Sequence, residues 1–126
     1  MRLQAVTLVV PSYDEGIAFF VEGLGWRLGS DEDQGGGKRW VVVEPPDGGS
    51  ALLLARAVGP EQQAAIGRQA GGRVGFFLRT ADFEGTAARL RTAGAWFEQE
   101  PRHEAYGTVA VWRDPWGNRW DLLGPP

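Results

Sequence analysis

The chain has 126 residues, a hydrophobic content of 43% and a formal net charge of -3, which suits one globular domain and leaves no basic footprint for nucleic acid. It contains no cysteine, so disulfides, thiolate nucleophiles and thiolate metal ligands are excluded. No run approaches the roughly 18 apolar residues of a membrane span, and Met1-Arg2-Leu3-Gln4 opens no apolar leader; the expectation is a soluble, cytoplasmic protein without nucleic-acid or membrane partners.

Residues 3–10 are β-branched and apolar and stop at Pro11-Ser12, which predicts a strand. Ser12 then suits a helix N-cap, with Asp14 and Glu15 favourable in the first turn. Ile17, Phe20, Val21 and Leu24 recur at helical spacing, and Gly25 is a natural terminator. A strand is expected at 26–29, followed by a polar, glycine-rich hairpin at 30–37. Strands at 38–44 and 50–56 flank the turn Pro45-Pro46-Asp47-Gly48. Residues 59–72 read as a linker carrying a short helix at 60–69. The rest repeats the first scheme: a strand at 74–79, a helix at 82–93, and strands at 95–97, 107–113 and 119–123.

The repetition is also visible residue by residue. Gly107 lies 70 residues after Gly37, and at the same separation Val111 follows Val41, Asp114-Pro115 follows Glu44-Pro45, and Leu122-Leu123 follows Leu52-Leu53. Two copies indicate a duplicated module rather than a solenoid. The expected fold is therefore α+β, with two tandem βαβββ modules (1–58 and 73–126) forming a curved mixed sheet around a cleft, helices outside.

Val6-Thr7-Leu8-Val9-Val10, Ile17-Ala18-Phe19-Phe20, Leu24-Gly25-Trp26 and above all Asp114-Pro115-Trp116-Gly117-Asn118-Arg119-Trp120-Asp121-Leu122 resemble the vicinal oxygen chelate superfamily. That family includes glyoxalase I, extradiol dioxygenases and the bleomycin- and mitomycin-binding resistance proteins. The resemblance spans essentially the whole chain. Its metal-dependent members hold a divalent ion with four inward residues, two per half, and the motifs align those positions with Ala5, Ala51, Gly75 and Asp121. Alanine and glycine have no donor atom, and a single carboxylate falls short of the three protein ligands such an ion needs. The expectation is no family-type metal and no other cofactor. A relocated site around His103, the only histidine, with Glu104 and Asp121 is the weaker reading, because strand neighbours point to opposite faces.

Several side chains remain to carry function. The stretch 100–107 resembles a Pro-Arg-x-Glu-x-Tyr-Gly pattern of one branch of the superfamily. Arg102 there would fork onto a ligand oxygen, and Glu104 or His103 would move a proton. The alternative is that Arg102 and Glu104 pair to pin the loop while Tyr106 caps the sheet. Alternation places Arg119, Asp121 and Leu123 on one face, and Ala5, Thr7, Val9, Gly75, Phe77 and Arg79 on the cleft side. Asp121 then either anchors a ligand opposite Arg79 or pairs with Arg79 or Arg119. The six tryptophans serve core or interface more readily than a stacking platform. Gly35-Gly36-Gly37 and Gly71-Gly72 precede strands, so they form no phosphate loop.

Two functions follow. The first is a metal-independent protein that binds a small, partly aromatic organic molecule through Phe77, Arg79, Arg102, Tyr106 and Asp121, and pairs as a homodimer because each sheet has edges to cover. The alternative is a lyase, isomerase or dioxygenase-like enzyme using Glu104, His103, Asp121 or a relocated metal.

Overall fold

The computed structural model describes residues 1–126, which divide into two compact units, Met1–Ala65 and Ile66–Pro126. In the first unit β1 (Ala5–Val10), β2 (Arg27–Asp33), β3 (Arg39–Glu44) and β4 (Ala51–Arg56) form one sheet in the order β1-β4-β3-β2. β1 runs parallel to β4, and the remaining pairs are antiparallel. The helix after β1 is capped as its sequence indicates, the Ser12 hydroxyl accepting from the Glu15 N–H at 3.1 Å. It is α-helical only over Tyr13–Ile17 (α1) and continues as a π-helical segment, Ala18–Gly23. The Leu24 N–H reaches back to the Phe19 carbonyl at 3.0 Å, and the wider turn brings both Phe19 and Phe20 inside. Ile17 and Val21, which a pure 3.6-residue period predicts as core, are left half-covered. Gly16 allows this close packing, since a Cβ there would lie 2.6 Å from a methyl of Leu54.

β2 extends through Asp31-Glu32-Asp33, where the sequence suggests a hairpin loop. Its outer residues are polar because it is an edge strand, and the Arg39 guanidinium holds Asp31 at 2.8 and 3.0 Å while bonding Asp14 at 2.9 Å. Reversal is confined to 34–38, with glycines 35, 36 and 37 all at positive φ. The core of this unit is Leu8, Val10, Val41, Val43, Leu52 and Leu54 under Phe19, Phe20, Leu24 and Trp26.

After β4 in the chain comes α2 (Gly59–Ala65), shorter than the expected helix at 60–69 because Gly67 takes φ +73°. The second unit contains β5 (Val74–Arg79), α3 (Phe83–Thr92), β6 (Trp96–Phe97), β7 (Arg102–Glu104), β8 (Gly107–Arg113) and β9 (Arg119–Leu123). The sheet order is β5-β9-β8-β6, with β7 also pairing with β8. The parallel β5/β9 pair repeats the parallel β1/β4 pair of the first unit. β7 was not expected as a strand; Arg102 and His103 are exposed, so no burial pattern marked it. No helix is long and apolar enough to cross a membrane.

Behind the second sheet, the Trp112 and Trp120 rings stack at 4.8 Å and Trp120 stacks on Phe76 at 4.5 Å. The β8–β9 turn is organised by Asp114, which is fully buried. Its carboxylate accepts from the backbone N–H groups of Trp116, Gly117 and Asn118 at 3.0–3.1 Å. It also accepts from Asn118 Nδ2 at 2.9 Å and Trp120 Nε1 at 3.1 Å. Burial pushes this carboxyl upward, while hydrogen bonds from Asn118, Trp120 and Trp116 pull it back toward the ionised form. The most family-like motif in the sequence is thus a structural knot.

Candidate functional site

Cross-strand partners share a sheet face, so the register of the second unit assembles the candidate site. Phe77 lies opposite Asp121, and Asp121 opposite Val111. Arg79 pairs with Leu123, Leu123 with Val109, and Val109 with Arg102. Phe77, Arg79, Asp121 and Arg102 therefore occupy one face, and Trp120 and Leu122 point to the other, buried one. Phe77 is 65% exposed, an uncovered aromatic ring beside a carboxylate.

Asp121 is the most unusual group on this face. Its Oδ1 is buried without a hydrogen-bond partner. Burial raises its carboxyl above the ordinary aspartate range, against the smaller opposing pull of Arg102 and then Arg119. It forms no ion pair with Arg79. The charges that act on it are Arg102 and Arg119; Arg79 pairs one step further along, at Leu123. Arg119 is itself committed to Glu98, at 2.8 and 3.0 Å, and to the Gly72 carbonyl at 3.1 Å.

Glu98, which carried no visible signal in the sequence, also accepts from Arg113 at 2.8 Å. The Arg119 and Arg113 guanidiniums hold its carboxyl below the usual glutamate range. A depressed carboxyl contributes stability above its unfolded pKa and loses it as pH falls through its folded value. The difference in melting temperature between the native chain and Glu98→Gln is therefore expected to close as the pH is taken from 5 to about 3, as read by a pH series of thermal melts.

The 100–107 stretch divides. Arg102 donates to Gln99 at 3.0 Å and approaches Glu104 at only 3.4 Å, so the pair exists but is loose. His103 points away from both, with Nδ1 3.3 Å from the Thr108 hydroxyl. Tyr106 sits in the β7–β8 turn, 67% exposed, and caps nothing.

The register also revises one alignment. Leu8 pairs with Leu54, but Leu78, its counterpart in the repeat, pairs with Leu122. The two sheets therefore differ in register, and the second carries a bulge between Val74 and Phe76 that the first lacks. Ala51 lies opposite Ala5, whereas Asp121 lies opposite Phe77. The structure holds no group of three or more His, Cys, Asp or Glu side chains able to hold a metal ion.

Two sheets with the same strand order, each built on a parallel pair and backed by a short helix, define a duplicated βαβββ protein. The chain belongs to the Glyoxalase/Bleomycin resistance protein/Dioxygenase superfamily, which it matches over residues 2–122. An uncharacterized protein of Shewanella frigidimarina (strain NCIMB 400) is 51% identical over 120 residues, covering 94% of this chain and 89% of that one. Among solved structures, UcmS2 superposes with a TM-score of 0.79 at 32% identity, covering 98% of this chain and 97% of that one. TnmS3, described as an antibiotic binding protein from Streptomyces sp. CB03234, gives 0.75 at 27% identity, covering 100% and 97%. Of the four positions that the resemblance aligns with the family's metal ligands, Ala5, Ala51 and Gly75 carry no side-chain donor atom and Asp121 carries a carboxylate.

Proposed function

We propose that this protein binds a small, partly aromatic organic molecule on the open face of its C-terminal unit, without a metal ion. The observation that carries the reading is the buried, unpartnered Oδ1 of Asp121 across the strand from the exposed ring of Phe77. An orphaned acceptor is costly to bury, and a ligand hydroxyl or amine would complete it while its ring covers Phe77. Arg102 and Arg79 border the same face and suit a ligand oxygen; Tyr106 is the outermost contact. The description of TnmS3 as antibiotic-binding supports the class of ligand. We further propose that the chain works as a homodimer, which covers the open edges at β2 and β6.

The test is calorimetry and intrinsic fluorescence with a panel of planar hydroxy- and amino-aromatics, in the presence and absence of a chelator. Saturable binding that is indifferent to chelation is expected. A stoichiometric divalent metal in the purified protein, with binding abolished on its removal, would overturn the metal-free reading. Sedimentation analysis reads the dimer.

A second reading rests on the same carboxyl. The raised Asp121 pKa suits acid–base work in a lyase or isomerase, with Glu104 as the other carboxylate on that face. Turnover that survives both Asp121→Asn and Glu104→Gln would remove it.

A further inference from the structure

The C-terminal unit carries a second feature, whose lining includes Arg119 but none of Phe77, Arg79, Arg102 or Asp121. A cavity of about 120 Å³ is bounded by Arg68, Arg73, Arg113 and Arg119, with Phe76 and the backbone of Gly75 in its wall. No acidic residue lines it. In a chain whose net charge is -3, this is a local reversal of sign. Three carboxylates stand near it: Glu98 is shared by Arg113 and Arg119, Asp121 acts on Arg119 electrostatically, and Asp114 is occupied by the Gly117 and Asn118 donors of the turn. Arg68 and Arg73 take part in no ion pair at all. Guanidinium groups do not deprotonate in proteins, so this charge is answered by solvent ions or by a bound anion.

The cavity is built into the fold. The β5–β9 register shifts between Val74 and Phe76, leaving Gly75 in a bulge at the cavity wall; bulges of this kind recur beside functional sites. Gly67, at φ +73°, lies so close to the β8–β9 turn that a Cβ would fall 2.0 Å from the Trp116 carbonyl oxygen, which seats the Arg68 segment directly on that turn. Glu98 orients Arg113 and Arg119 through three hydrogen bonds. Two cations are thus fixed and two are free to close on a ligand.

From this geometry we infer an anion site that takes a small oxyanion, a carboxylate or phosphate group with few further atoms, forked by Arg68 and Arg73 and seated against Arg113 and Arg119. Phe76, stacked on Trp120, gives a flat apolar wall for any organic remainder.

Inorganic phosphate and benzoate are the two probes, titrated at constant ionic strength, since exposed charges are screened by salt. Calorimetry and thermal shift are expected to show saturable binding of at least one in the low-millimolar range; which one binds tells phosphate from carboxylate. The double variant Arg68→Gln/Arg73→Gln is expected to weaken that binding at least tenfold. Arg89→Gln, an equal charge change per site on the exposed side of α3, is expected to leave it unchanged. Absence of saturation with both probes overturns the site, as does a loss in Arg89→Gln equal to that in the double variant. Loss of aromatic binding at Asp121 with phosphate binding intact, or the converse, separates this site from the one proposed above.

Discussion

Asp114→Ala is expected to destabilise the protein by roughly 3 kcal/mol, because hydrogen bonds to a charged group are worth about 1.5–3 kcal/mol each and their donors are left unmet. Five donors converge on this carboxylate, and the residue is fully buried, so water cannot replace it. Three of the donors are backbone N–H groups of the turn itself, and the fourth and fifth tie that turn to Asn118 and to the Trp112–Trp120 stack. For a chain of this size the loss corresponds to a fall in melting temperature on the order of 10 °C. Asp114→Asn is expected to cost nearly as much, since its amide presents a donor where donors already crowd. Thermal and denaturant unfolding of both variants reads the effect. Melts within 2–3 °C of the native chain would show that the turn holds without its acceptor.

The same residue shows what was legible in the sequence. The Asp-Pro-x-Gly-Asn pattern, the helix cap at Ser12, the period-2 strands β5, β8 and β9 and the duplication are local or periodic signals, and they set out the fold. The α1 helix was legible only in part. A π-helical turn changes the period without changing the residue types, so Phe19, which lies outside the periodic set Ile17, Phe20, Val21 and Leu24, is buried. The far half of β2, beyond the expected 26–29, and all of β7 escaped for a related reason: edge strands with polar or exposed residues carry no burial alternation. The candidate site follows a sharper rule. Alternation put Phe77, Arg79 and Asp121 on one face, but the pairing of Asp121 with Phe77 depends on a bulge at Gly75, which is not written in an ungapped alignment. Glu98 and the paired guanidiniums it orients come together from β8, β9 and the segment after β6, a contact that no local pattern encodes.

Asp121→Asn is expected to move stability and binding in opposite directions. Burial raises the Asp121 carboxyl, and a carboxyl raised on folding favours the native state at low pH, an advantage lost as pH rises through its folded value. At neutral pH the ionised side chain is therefore a net burden, and removing its charge should stabilise the fold. Below the ordinary aspartate pKa of about 3.9 the native chain and the variant should melt together; the gap should open as pH rises and then level. Binding of a donor-bearing aromatic should weaken about tenfold or more, the equivalent of one hydrogen bond to a charged acceptor. Phe77→Ala should weaken binding with no such pH signature, because its ring is exposed and uncharged. A group that costs stability and repays it only in the presence of a ligand has the energetic profile of a binding site rather than of a scaffold. If Asp121→Asn lowers stability at neutral pH and leaves the affinity for the aromatic panel unchanged, the carboxylate is holding the sheet together and the ligand must be sought elsewhere on the chain.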